Sequence, residues 1–461
     1  MRPMRLLSVV PLRSAIRACI AALLVLVLAT QPAMAQSILR DAETEALFAE
    51  MSAPLIEAAG LNPRNVQIVL IGDKEINAFV AGGQAVYVHS GLITAADNAN
   101  EVQGVIAHEL GHVAGGHVIR INEGAKAATG ITLLSLLIGV AAIAAGAGDA
   151  GAGILAAGQQ AALGKFLAFS RTQESSADAA GASYLSKAGV SGKGLISFFK
   201  KLQGIEFRYA IPQDDSYGRT HPLSGERVAV LQDKMAGDPA WNAKTDPGLE
   251  ARFQRVKAKL KGYVSEPART LIDYPESVTT VPARYARAYA WHRSSYPDKA
   301  LAEVNALLAA APHDPYFLEL KGQILLESGR AAEALPVLRD ATQRTNNQPL
   351  IATLFGHALI ATEDKTNFAE AERVLKAAVA RDNDNPFAWY QLGVVYGHKG
   401  DLPRASLATA ERYNLEGRAR LALVSAESAM RGIPQGSADW IRAQDIAMVS
   451  RVEVEKDKKR R

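Results

Sequence analysis

In the second half of the chain, small residues return at a fixed step, and that step constrains the fold more tightly than any other feature of the 461 residues. Ala300 and Ala334 stand 34 residues apart, as do Ala371 and Ala405, while the 37-residue step between Ala334 and Ala371 carries an insertion around "EDKT", Glu363 to Thr366. Gly322, Gly356 and Gly393 precede Ala334, Ala371 and Ala405 by twelve or fifteen residues, so each period supplies two small positions. Small residues let paired helices approach closely, and a unit of this length cannot bury its apolar face alone. Stacked helix pairs enclosing a curved groove are therefore expected over residues 283–450.

The first half follows other rules. A chain of this length needs more than one core. After helical spacing at Ile38, Leu47, Met51 and Leu55, the short runs "VQIVLI" (Val66 to Ile71), "NAFVAGG" (Asn77 to Gly83) and "AVYVHSG" (Ala85 to Gly91) predict a small sheet. A helix follows, capped by Asn98 or Asn100 and running to about Arg120. A further helix near Leu249 to Lys261 is expected to close this domain, which spans 36–262, and proline-rich 263–282 reads as a linker. The end, 451–461, reads as a charged tail.

Residues 1–35 have the form of a secretory signal: Arg2, Arg5, Arg13 and Arg17, then the apolar run Ala18 to Ala29, then "AMA" before Gln36. The alternative is an uncleaved anchor. The formal charge of +4 falls to zero without these residues, which leaves no electrostatic case for a nucleic-acid partner. The lone cysteine, Cys19, belongs to the same segment, so disulfides and thiol chemistry are excluded and metal ligands must be His, Asp or Glu.

Residues 127–164 form the most apolar stretch outside the leader. Three forms suit it: a buried or lid-forming helical hairpin, a hairpin lying on a membrane surface, and a two-span insertion.

Chemistry concentrates in "VIAHELGHVAGGH", Val105 to His117. On a helix, His108 and His112 share one face, and two imidazoles four residues apart can converge on one ion. Glu109 is then placed to take a proton from water, the H-E-x-x-H arrangement of metal-dependent hydrolysis. A third ligand is expected from "SRTQESSADAAG" (Ser170 to Gly181), where Glu174 and Asp178 are also four apart. Glu174 is placed to complete the site and Asp178 to hold a ligand histidine by its other nitrogen, although the same spacing suits a solvated polar face.

Taken in order, "NAFVAGG", "HELGHVAGGH", "SRTQESSADAAG" and "RTHPLSGER" (Arg219 to Arg227) resemble the gluzincin family that includes the HtpX protease and the CAAX prenyl endopeptidases. "WYQLGVVY" (Trp389 to Tyr396) matches the W-x-x-L-G-x-x-Y consensus, and its region resembles tetratricopeptide repeats. With a leader in front, the whole is similar to periplasmic proteases of the β-barrel assembly-enhancing, BepA-like type. The resemblance implies an α+β zincin-like peptidase domain with a small mixed sheet, followed by an all-α repeat solenoid.

It also implies one Zn2+ held by His108, His112 and Glu174, with Glu109 as general base and Asp178 behind the ligands. His221 stands where such proteases have a histidine that restrains or assists catalysis. Asn77, Ala78 and Phe79 would lie on the edge along which substrate extends, and His117 is structural. His89 replaces the Asn expected in "VYVHSGL". The implied clients are stalled or misfolded outer-membrane β-barrel proteins, and the implied partner is the barrel-assembly complex. Two other readings are a chaperone or scaffold with a latent metal site, and an intramembrane protease.

Overall fold

The computed structural model describes residues 37–144, 148–209, 221 and 225–460. The expected leader and Cys19 lie outside the described residues. Ile38–Arg461 form one compact unit.

Alternating β-branched residues build the sheet. Strands β1 (Ser37–Ile38), β2 (Gln67–Gly72), β3 (Ala78–Ala81) and β4 (Ala85–His89) lie in the order β1-β2-β4-β3. β4 runs parallel to β2 and antiparallel to β3, so the sheet is mixed, with β1 and β3 as its edge strands. Along β4, Val86 and Val88 are buried while Tyr87 between them is partly exposed, the period-two pattern of a sheet with one covered face.

Helix α1 (Ala42–Ala58) precedes β2, and the short α2 (Ser90–Ala95) leads from β4 into α3 (Ala99–Gly115). Every residue of α3 from Ala99 to His112 is buried, so its histidines sit inside the core rather than on a wet face. Of the two candidate caps, Asn98 accepts from the Glu101 N–H at 3.0 Å. Asn100 instead bridges the Ser191 carbonyl and the Gly194 N–H, both at 2.8 Å, and fastens α3 to the start of α6 (Lys193–Tyr209).

Between them, α4 (His117–Ala144) and α5 (Gly148–Lys187) pack along one another. The expected hairpin is therefore helical, and α5 continues without interruption from the apolar stretch through "SRTQESSADAAG". Leu133, Leu134, Leu136, Leu137, Ile138 and Val140 are exposed, Leu137 by 71%, so the buried form of the hairpin is not the one observed. Among the described residues, His117–Val140 is the one stretch long and apolar enough to cross a membrane by length and composition.

After α7 (Gly225–Ala236), helix α8 (Pro247–Val264) packs directly on α10 (Val281–Arg293). The stretch 263–282 is thus not a free linker: α8 runs into it, and α9 (Pro267–Asp273) occupies much of the rest. Nine further helices follow as α11 (Pro297–Ala310), α12 (Pro315–Glu327), α13 (Ala331–Arg344), α14 (Pro349–Ala361), α15 (Phe368–Arg381), α16 (Pro386–His398), α17 (Leu402–Leu415), α18 (Ala419–Gly432) and α19 (Ala438–Arg460).

Three helices open alike: Asp314, Gln348 and Asn385 accept from the first turn of α12, α14 and α16, and Pro315, Pro349 and Pro386 occupy the first helical position. A β-carbon on Gly322 would lie 2.3 Å from Leu338 Cγ, and Gly356 meets Leu375 in the same way, which is why these positions are glycine. The insertion at "EDKT" is visible as a left-handed Glu363, φ +57°, followed by a 3-10 turn at Lys365–Asn367. The expected tail is instead the last part of α19.

A buried ionic network fastens the sheet-bearing half to the repeats. Lys259 on α8 lies 2.5 Å from Asp41 and 3.3 Å from Glu43, and Tyr285 on α10 donates to Glu43 at 2.8 Å. Arg255 pairs with Glu43 and reaches Asp314 of the repeats at 2.6 Å. Burial disfavours the Lys259 ammonium, yet the charge of Asp41 outweighs it and raises its pKa well above the ordinary lysine value. Breaking such a pair would leave an uncompensated buried charge, so the two halves are held in one arrangement.

Beside the network, Glu319 Oε2 is shielded without a hydrogen-bond partner, and burial pushes the Glu319 carboxyl up to about 8 against the attraction of Lys259. The folded chain then keeps a proton that the unfolded chain, at its ordinary 4.5, has released, so this group lowers stability as pH rises from about 4.5 to 8. Thermal unfolding of Glu319→Gln should therefore show a gain of a few degrees at pH 8.5 and little change at pH 4. An equal shift at both would contradict this assignment.

Candidate active site

The site depends on how closely two helices meet. A β-carbon on Gly111 would lie 2.6 Å from the Ala177 carbonyl oxygen and 2.8 Å from its α-carbon, so only glycine lets α3 and α5 come together at this level. That contact sets the Glu174 and Asp178 side chains of α5 beside His108 and His112 of α3, and all four are buried. Glu174 and Asp178 are therefore not a solvated face.

The ligand atoms converge. His108 Nε2 and His112 Nε2 are 3.1 Å apart, and Glu174 lies 3.5 Å from the first and 3.4 Å from the second. Ligands on tetrahedral bonds of about 2.0–2.2 Å stand roughly 3.3–3.6 Å apart, so the three groups fit one ion. His221 completes the cluster: its Nδ1 lies 3.3 Å from His108 Nε2 and 3.2 Å from both Glu174 oxygens. His108, His112, Glu174 and His221 together form a buried set able to coordinate a metal.

Supporting contacts fix the rings. His108 Nδ1 donates to Asp178 Oδ1 at 2.9 Å, and His112 Nδ1 shares a 2.9 Å hydrogen bond with His117 Nδ1. Each ligand histidine is thus held by the nitrogen that faces away from the cluster, the arrangement that sets tautomer and aim. Arg227 grips both carboxylates: it pairs bidentately with Asp178 and lies 3.0 Å from Glu174 Oε2. Arg227 closes "RTHPLSGER" in the sequence, where spacing alone does not reveal which carboxylates an arginine reaches.

Burial works against a charged His108, yet hydrogen bonds to Asp178 and Glu174 push it up to about 10, so the pocket favours positive charge at Nε2. Burial, then repulsion from His108 and His221, pushes His112 down to about 2 and keeps it a neutral donor of its lone pair. Burial raises Glu174, but the hydrogen bonds to His108 and His221 win and hold its carboxyl well below the ordinary range.

Glu109 is different. It is wholly buried, and neither carboxylate oxygen has a hydrogen-bond partner among the described residues; His221 Nε2 lies 3.6 Å from Oε1. Burial accordingly raises its pKa. A buried carboxylate without partners is costly unless it faces something absent from the protein itself, which is what a base awaiting water and substrate requires.

Of the residues expected to meet substrate, Ala78 and Phe79 lie on β3, one of the two edge strands, and Asn77 lies just before it. Phe79 on β3 stacks on Tyr87 at 5.2 Å, Asn77 and Ala78 are buried, and β3 contacts α3.

Comparison with known proteins agrees with this geometry. The profile of peptidase family M48 matches residues 39–235. Metalloprotease LoiP of Escherichia coli strain K12 is 33% identical over 199 residues, 41% of this chain and 72% of that protein. Metalloprotease YcaL of the same strain is 31% identical over 196 residues, 41% and 70%. The β-barrel assembly-enhancing protease of that strain is 26% identical over 380 residues, 81% and 76%. Among solved structures, the TPR protein YrrB is similar at 22% identity with a TM-score of 0.32, covering 39% of this chain and 92% of that one. With a buried metal-competent cluster on the matching segment, the chain belongs to peptidase family M48.

Proposed function

We propose that the chain is a zinc-dependent endopeptidase of the periplasm of a Gram-negative cell, acting on misfolded or stalled outer-membrane proteins. The observation that carries this reading is the convergence of His108, His112 and Glu174 beside the unpartnered Glu109 carboxylate. Zinc bound there supplies Lewis acidity toward a peptide carbonyl and toward water.

The chain's own residues do the rest. Glu109 takes the proton of the attacking water and passes it to the leaving amine, a task suited to a carboxyl whose pKa burial has raised. An extended peptide adds as a strand along β3, with Asn77, Ala78 and Phe79 setting its register. The helix pairs after α10 form the surface that holds a client or an assembly machine. Similarity to the β-barrel assembly-enhancing protease supports that assignment of client and machine.

His221 Nδ1 lies against His108 Nε2 and Glu174, from where it would fill the position that a catalytic metal site keeps open. We read it as a restraint that must withdraw before water enters. The scaffold reading has that same contact in its favour, and activity decides between them.

A membrane role draws on the exposed α4 leucines. Alkaline carbonate should release the chain if the hairpin only touches a surface, and retention in the membrane pellet would favour a spanning form.

Casein digestion by Glu109→Gln should fall by about 10²–10⁴-fold with the zinc content unchanged, while His221→Ala should digest several-fold faster than wild type. A wild-type chain without zinc, or a Glu109→Gln chain with normal activity, would sink the peptidase assignment. Arg227→Ala should weaken zinc binding by about 10–100-fold through loss of aim in Asp178 and Glu174, read by competition with a chromogenic chelator. In the profile of kcat/KM against pH, the acid limb should lie above the ordinary glutamate value of about 4.3, because Glu109 must be ionised to accept a proton. A limb at or below that value would assign the base elsewhere.

A further inference from the structure

A second group of potential ligands lies at the end of β4. Strand β2 ends at Gly72, and the chain turns through Asp73 to Asn77 before β3 begins. The turn is held against the end of β4: the Asp73 carbonyl accepts from Ser90 Oγ at 2.6 Å and from the Gly91 N–H at 2.8 Å. The His89 N–H donates to the Asn77 carbonyl at 3.0 Å. A β-carbon on Gly91 would lie 2.2 Å from the Lys74 carbonyl oxygen, so the turn is seated on it without a gap.

This wraps two carboxylates around one imidazole. His89 is 1% exposed, and among the described residues neither ring nitrogen has a hydrogen-bond partner of normal geometry, although the Glu75 backbone lies close to the ring. Its Nδ1 faces Asp73 Oδ1 at 3.9 Å, beyond a hydrogen bond. The Glu75 N–H fixes the Asp73 carboxylate by donating to Oδ1 at 2.8 Å. One ligand atom each from Asp73, Glu75 and His89 lies within 4.8 Å of the others. Ligands on tetrahedral bonds of about 2.0–2.2 Å stand roughly 3.3–3.6 Å apart, so the part-exposed Asp73 and exposed Glu75 side chains would close the remaining distance by rotation.

We propose that Asp73, Glu75 and His89 form a second divalent-metal site, separate from the His108 cluster, which takes a zinc-class ion. The ion staples the Asp73–Asn77 turn to the end of β4 and so fixes where the edge strand β3 begins. One imidazole with two carboxylates selects a borderline transition ion over calcium, which needs six to eight oxygens. A buried imidazole without a well-formed hydrogen bond is a cost that such an ion offsets. The site does not depend on catalysis at the first cluster, and either conclusion stands if the other falls.

The test is titration of the chelator-stripped full chain with zinc chloride by calorimetry, together with metal analysis after dialysis. Wild type should bind two ions. Glu75→Gln, whose side chain is exposed and whose fold is therefore safe, should lose at least tenfold in affinity for one ion and keep the other within threefold. His89→Gln should behave alike. Zinc should slow amide hydrogen exchange at residues 73–77 in wild type and not in Glu75→Gln. A single ion in wild type would overturn the proposal, as would two ions bound at unchanged affinity by both variants. A wild type that digests casein with one zinc would leave the peptidase reading intact while removing this site.

Discussion

The near-contact of α3 and α5 at Gly111 and Ala177 is the constraint on which the rest of the catalytic half depends. Backbones this close leave no room for a side chain, and the gain is that two pairs of residues, each four apart on its own helix, face each other across one seam. His112 supplies a neutral nitrogen, His108 supplies a ring at which positive charge is favoured, and Glu174 and Asp178 supply negative charge. The sheet beneath, the capped start of α3 and the Asn100 bridge to α6 serve to hold that seam in place.

Electrostatics inside the seam are arranged by division of labour. Asp178, gripped by Arg227, is a fixed anion that aims His108. Glu174 shares the arginine but faces the ligand nitrogens. Glu109 alone receives no hydrogen bond, so the one carboxylate left free to exchange a proton is the one that chemistry would use. The same low-polarity surroundings thus yield two strongly ionised carboxylates and one raised one, and the difference lies in partners rather than depth.

Much of this was legible in the sequence because helical periodicity converts spacing directly into geometry. His108, Glu109 and His112 needed only a helix, and Glu174 with Asp178 needed a second one. The helix pairs were legible because the small residues recur at a fixed step, and the inserted turn at Glu363 fell where the step lengthened. Contacts between distant segments were not legible. Nothing in the spacing shows that Arg227 reaches Asp178, that Arg40 meets Asp382 at 2.9 Å, or that Lys259 sits between Asp41 and Glu43. The proline-rich stretch looked like a linker because its few apolar residues have no period, yet α9 forms there, packed against α10. The charged end looked solvated, and it is, but as a helix continuing α19.

Helix α5 spans 40 residues with no proline, and at 1.5 Å per residue that is about 60 Å of rod. One end lies in the exposed apolar hairpin, and the other carries Glu174 and Asp178. The helix is continuous between them, so the exposed apolar hairpin and the carboxylate beside His108 and His112 belong to one element rather than to two joined by a loop.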